Sequence, residues 1–338
     1  KYINSHHDFI KPQSRKNEIL GFLKNELNDL CISRPKSRLS WGIELPFDKD
    51  YVTYVWFDAL LNYITAIGYN SDKTKFEHYW PANYHLMAKD ILITHCVYWP
   101  TMLMACNIPL PKTIFAHGWW LMDDMKMSKS IGNVVKPLDL AYKYGSDSLR
   151  YYLMSNMVLG QDASFTLDSF IRKYNSDLAN DYGNLVNRVL IMINKNFDGK
   201  IPEKHKYDDI DMELINKAKE IPNQVLKDYN DLKIHKAIEL IMQLLRSVNK
   251  YLEVKSPWKL IKSDDKKDFL KASTTLYISV ELLKIGTLLL YPVMPEKTKI
   301  LLKSLGVKSN TDFTFGTLKP NTRIAIINNL FPRIEEEK

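Results

Sequence analysis

The chain reads as an α/β region followed by an all-α region, on three observations. Between residues 51 and 118, short apolar and aromatic runs (YVTYVWF, NYHLMA, TIFAHG) alternate with longer helix-like stretches (DALLNYITAIGY, KDILITHCVYWPTMLMACN). That alternation is the pattern of strands joined by helical crossovers in a parallel sheet. Beyond Thr166 the strand-like runs stop and long helical periods take over. With 338 residues and 45% hydrophobic content, the chain is long enough for two cores rather than one.

Taken in order, KPQSRKNEILGFLKNELNDL (residues 11–30) predicts one polar-capped helix, and SRPKSRLSWG (33–42) a loop leading into the sheet. His117 and Gly118 end the strand candidate TIFAHG. Ligands on parallel sheets bind beyond the carboxyl ends of the strands, so the run HGWWLMDDMKMSKSIGNVVKP begins where a ligand would sit. In the second region, helical runs cover roughly 166–196, 211–228 and 264–290. Ile234, Ile238, Ile241, Leu245, Val248 and Leu252 form one apolar stripe on a helix ending near Glu253. Ser256 and Pro257 supply an N-cap and a first-turn proline for the next helix. These elements predict an α-helical bundle starting near residue 166.

Composition narrows the function. No window holds the roughly 18 uninterrupted apolar residues of a membrane span, and the N-terminal KYINSHHDFI has no apolar signal core. A soluble cytoplasmic protein, of bacterial or organellar type and without membrane association, is the expectation. Cys31, Cys96 and Cys106 are odd in number and widely spaced, which fits reduced thiols, and no ligand spacing argues for zinc. The net charge of +8 is compatible with a polyanionic partner, but by itself it is the charge of many soluble proteins.

Three stretches carry chemistry. Lys126 and Lys129 flank a short turn in KMSKS, where Ser128 and Ser130 can bond phosphate oxygens. An ammonium roughly 4 Å from a phosphate is worth on the order of 4 kcal/mol at an intermediate dielectric, before desolvation. In YVWFDALLNYIT, residues Trp56, Ala59, Leu60 and Tyr63 share one face of a turn entering a helix. Aromatic walls with one polar tip suit a flexible thioether. In the helical region Asn184 and Arg188 are four apart on one face, and Trp258 opens a helix, where a flat ring can stack on a base. Each stretch also has an ordinary reading: a solvated turn, a helix core, a solvated face.

Together the three stretches resemble the methionyl family of class I aminoacyl-tRNA synthetases. HGWW, KMSKS and IGNVVKP are similar to that family's ATP-binding loop, and the similarity runs from Asp8 through the terminal LFPRIEEEK. It implies that Lys126 and Lys129 contact phosphates and carry catalysis, with Ser128, His117 and Gly118 also at the nucleotide. It further implies a methionine pocket of Trp56, Ala59, Leu60, Tyr63, Asp90 and His95, and anticodon reading by Asn184, Arg188 and Trp258. Substrates would be ATP with Mg2+, methionine and tRNA(Met), with no zinc in this chain. Residues 1–40 would end a connective segment. Residues 41–118 would form the second half of a Rossmann-like catalytic fold, 119–165 the KMSKS loop and a connecting subdomain, and 166–338 the helical anticodon-binding domain.

Departures and absences refine the expectation. The family usually has glycine at the position of Ala88 and an aromatic at Thr94, so one pocket wall is altered. The His-x-Gly-His element of the family's first half does not occur. The expectation is therefore a C-terminal part of a methionine–tRNA ligase, inert by itself. A non-catalytic tRNA-binding fragment is the rival from another class. Relatives specific for leucine, isoleucine or valine fit less well, since no segment is long enough for their editing domain. The family's optional C-terminal extension is not seen after LFPRIE, so a monomer is expected.

Overall fold

The computed structural model describes residues 1–122, 124–128, 132, 134–308 and 311–335. It divides into two compact units, one of Lys1–Trp119 with Gly160–Asp162 and one of Trp120–Leu159 with Ala163–Lys338.

The first unit is built on a parallel sheet of Ile10–Lys11, Thr113–His117 and Tyr84–Ala88, with Thr113–His117 in the middle. That strand is the most apolar, and Ile114, Phe115 and Ala116 are buried, as expected where both faces are covered. Tyr84–Ala88 alternates instead, burying His85 and Met87 while exposing Tyr84 and Leu86. The crossover between the two strands runs through a 3-10 turn, Lys89–Ile91, a wide π turn, Thr94–Tyr98, and the helix Trp99–Ala105.

Three sequence expectations change here. YVTYVWF does not join the parallel sheet. The strand Asp48–Thr53 lies in a separate antiparallel sheet between Ser33–Pro35 and Glu44–Leu45, and the chain becomes helical at Val55–Ala59. The reason is exposure: along Asp48–Thr53 only Val52 is buried, so this strand has one dry face at most. The loop expected at SRPKSRLSWG contributes the strand Ser33–Pro35. The first long helix covers only Gln13–Phe22, because the nearby Asn25, Asn28 and Asp29 favour turns over helix.

In the second unit a small sheet joins Met125–Lys126, Trp120–Met122 and Ala163–Ser164. The bundle comes next. Leu167–Lys173 continues through a π-helical stretch, Tyr174–Gly183, into Asn184–Asn196. After it come Asp209–Asn230, Ile234–Lys255, Pro257–Leu260, Lys266–Leu290 and Pro295–Ser304. Ile238, Ile241, Leu245, Val248 and Leu252 are fully buried, as the stripe requires. Each such side chain contributes about 1.5–3 kcal/mol. Pro295–Ser304 lacked a sequence expectation. Ser256 stands before Pro257 but does not cap the helix: its φ is +43°, and its hydroxyl donates to the Glu253 carbonyl at 2.8 Å.

Among the described residues, one helix, Lys266–Leu290, is long and apolar enough to cross a membrane, and its apolar window is wholly buried in the bundle. It also carries a buried ion pair, Lys284–Glu281 at 2.8 Å, which marks it as the core helix of the bundle.

Candidate nucleotide, amino-acid and RNA sites

At the carboxyl end of the parallel sheet Ala88 stands opposite His117. Lys89, the next residue, pairs with Asp162 at 2.7 Å and lies 4.2 Å from the centroid of the Trp119 ring. Asp162 also accepts the Trp119 backbone N–H at 2.8 Å. The Lys89 hydrogen bond, with that N–H, holds the Asp162 carboxyl below the usual carboxylate range. Gly118 packs directly against the backbone of Gln161, where a Cβ would collide, so only glycine lets these segments meet. His117 donates through Nδ1 to the Gly118 carbonyl at 2.7 Å. Asp90 is exposed at the start of the crossover. Asp162 was not legible beforehand, since it lies 73 residues from Lys89 in no motif.

The aromatic group is tighter. Tyr63 Oη and His95 Nε2 are 2.9 Å apart, and His95 Nδ1 donates to the Ile91 carbonyl at 3.0 Å. That second bond leaves Nε2 to accept from tyrosine. Trp56 meets the His95 ring edge-on at 5.9 Å between centroids. The wide turn Thr94–Tyr98 is what carries His95 inward, and Thr94 is buried beside it. Ala59 is exposed, while Leu60 points into the core with Ile64 and Trp99.

His85, which no sequence motif singled out, packs against Tyr63 at 4.2 Å and accepts from the Trp99 indole N–H at 3.3 Å. Its place as an inward residue of an alternating strand was the available signal. Burial, with a smaller contribution from His95, pushes the His85 imidazole down to about 4. Burial lowers His95 and raises the Tyr63 phenol. The group is thus neutral at pH 7, with one oriented Tyr–His hydrogen bond among apolar walls. A cleft of about 540 Å3 borders Trp56, Phe57 and Leu60 on a side that does not include Tyr63 or His95.

In the second unit Lys126 is exposed and faces Leu121 across the short antiparallel pair. The Gly132 N–H donates to the Ser128 carbonyl at 3.1 Å. Lys129 lies outside the described residues.

On the bundle, Arg188 pairs with Glu253 at 2.7 Å, and its guanidinium carbon lies 5.2 Å from the Trp258 ring centroid. Asn184 is exposed one turn earlier on the same helix. The structure therefore joins Arg188 and Trp258 and adds Glu253, a residue that read as an ordinary helix end. An arginine beside a half-buried indole offers one face for stacking and one donor fork for a base edge.

Two family models match the chain. Residues 1–190 match tRNA synthetases class I (M), and residues 201–338 match the anticodon binding domain of methionyl tRNA ligase. Methionine–tRNA ligase of Clostridium acetobutylicum is 46% identical over the whole of this chain and 53% of the relative. That of Bacillus subtilis is 41% identical over the whole chain and 52% of the relative. Mycobacterium tuberculosis methionyl-tRNA synthetase in complex with methionyl-adenylate superposes with a TM-score of 0.93 at 40% identity, covering 98% of this chain and 66% of that one. The chain spans about half the length of the curated relatives it matches.

Proposed function

The chain belongs to the methionyl family of class I tRNA synthetases, and from that premise we propose that it serves a methionine–tRNA ligase. In the proposed reaction a carboxylate oxygen of methionine attacks the α-phosphorus of ATP. The acyl–phosphate bond forms, the α–β phosphoanhydride breaks and pyrophosphate leaves. A terminal ribose hydroxyl of tRNA(Met) then attacks the carbonyl carbon, releasing AMP and a proton.

Neither step needs a protein nucleophile, so the protein's share is position and charge. Lys126 and Lys129 act on the phosphates with Ser128, while His117 and Gly118 border the nucleotide. Trp56, Tyr63 and His95 hold the thioether side chain, Ala59 and Leu60 complete the wall, and Asp90 lies at the substrates. Asn184, Arg188 and Trp258 read the anticodon. Residues 119–165 serve as the loop segment and 166–338 as the anticodon domain. Magnesium enters on the ATP phosphates as part of the substrate. Among the described residues no three His, Cys, Asp or Glu side chains gather as a metal cage. The relatives named above are bacterial, and we place the protein in the cytoplasm.

The observation that carries this reading is the neutral Tyr63–His95 pair under Trp56 in a chain whose two family matches both name the methionyl enzyme. The test is amino-acid-dependent ATP–pyrophosphate exchange by the protein containing these residues. Exchange with methionine, and none with leucine, isoleucine or valine, is the expected result. Exchange driven by one of those three instead would overturn the specificity. A tRNA-binding role without chemistry is the second reading, supported by the match of residues 201–338 to an anticodon binding domain, and tRNA binding without exchange would favour it.

A further inference from the structure

The helix Ile234–Lys255 ends with a buried cation. The Lys255 side chain is only 10% exposed and pairs with Asp208 at 2.5 Å and Asp211 at 2.8 Å. Tyr251, one turn earlier, donates to the same Asp211 oxygen at 2.8 Å. Both carboxylates also form the reciprocal cap at the start of Asp209–Asn230: the Asp211 N–H donates to Asp208, and the Asp208 N–H donates to Asp211. Burial disfavours the ammonium, yet the two carboxylates outweigh it and hold its proton more firmly than usual. One helix end is thus pinned to the beginning of another.

The next residue along the chain gives the clamp its meaning. Ser256 takes the left-handed conformation that favours glycine, at φ +43° and ψ +53°, which is uncommon for other residues. That single residue turns the chain so that Pro257 and Trp258 start a new helix, while Glu253 on the preceding turn meets Arg188. Trp258 and Arg188 belong to the face assigned above to the anticodon, and Glu253 holds the Arg188 guanidinium. A shift of the helix end would misplace the ring and the carboxylate together.

We propose that Lys255, clamped by Asp208 and Asp211, is a positioning residue for anticodon reading: it fixes the helix end from which Trp258 reaches the RNA and Glu253 holds Arg188. The proposal rests on the tRNA reading of this face. Lys255 itself faces the carboxylates and touches no base.

The test uses the 338-residue chain and two RNA hairpins, one with the methionine anticodon CAU and one with its first base changed, followed by fluorescence anisotropy. Wild type is expected to prefer CAU. In Lys255→Met that preference should fall about tenfold, the size of losing one stacked base. Affinity for the changed hairpin, which is mostly phosphate attraction, should stay within about twofold, and Lys255→Arg should keep most of the preference. Should Lys255→Met fail to fold, the charge-balanced pair Lys255→Met with Asp211→Asn carries the same expectation. A folded variant that discriminates as well as wild type overturns the proposal alone, as does an equal loss of affinity for both hairpins. Wild type that binds both hairpins equally overturns the anticodon reading and the proposal with it.

Discussion

The bundle and the sheet unit bury polar groups in opposite ways. In the bundle one continuous apolar core runs from Tyr151 to Phe331, and several buried acids and bases there are joined in ion pairs. Glu281 and Lys284 form an ion pair, and Lys284 also donates to the Thr314 carbonyl and the Thr317 hydroxyl. Asp177 accepts from Tyr151 and pairs with Lys173 and Arg246. The sheet unit rests on two smaller clusters, around Ile114 and around Trp99; its buried histidines, His85 and His95, are held neutral by burial, and its buried lysine, Lys16, donates to the His7 carbonyl rather than to a carboxylate. A charge kept in a dry interior needs a partner, whereas a buried imidazole can discharge instead.

Removing one partner of the bundle's ion pair should have the largest effect. Lys284→Met leaves the Glu281 carboxylate buried and frees the segment around Thr314, at a cost of about 3–5 kcal/mol. Urea unfolding followed by far-UV circular dichroism reads that cost. The double change Lys284→Met with Glu281→Leu should recover most of it. A single variant as stable as wild type would show that the pair anchors nothing.

The sheet unit should respond to pH instead. His85 has a folded value of about 4 against the ordinary 6.5, so its neutral form is the one the fold favours. That stabilisation is complete above pH 6.5 and is lost as pH falls from 6.5 toward 4, on the order of 3 kcal/mol. Exchange of the Trp99 indole proton, which His85 accepts, should accelerate over this range, and His85→Gln should flatten the dependence. A rate that tracks only the intrinsic chemistry of exchange would contradict the assignment.

Much of this organisation was legible in the sequence, for a physical reason. A helical stripe such as Ile238, Ile241 and Leu245 is set by local spacing, and it lies where the period places it. The strand YVTYVWF was misplaced because an apolar run does not say which sheet it joins; that depends on Ser33–Pro35 and Glu44–Leu45, which have little apolar signal. At the candidate site, Trp56, Tyr63 and His95 come together as expected. His85, Asp162 and Glu253 were missed, because their partners are distant along the chain. Ser256 looked like a cap, but it takes a left-handed turn whose hydroxyl bonds back to Glu253, which local sequence does not predict.

Smaller effects sharpen the contrast at the surface. Trp258→Ala should weaken binding of the CAU hairpin by about 1–3 kcal/mol; because the ring also packs against the bundle core, the melting temperature should fall as well, and binding is compared well below it, with calorimetry on the same samples. Lys36→Ala, which removes an exposed pair with Glu44 on the antiparallel sheet, should change stability by less than about 1 kcal/mol. A larger loss in urea unfolding would mean that this small sheet matters more to the first unit than its exposure implies.

The most direct test of the account is whether the bundle of this chain reads an anticodon. Anisotropy titrations of the 338-residue chain with the CAU hairpin and with a hairpin changed at its first anticodon base should differ by at least about tenfold in Kd. The difference should persist as salt lowers both affinities. Equal dissociation constants, falling together with salt, would reduce Arg188, Glu253 and Trp258 to an ordinary basic surface and contradict the assignment.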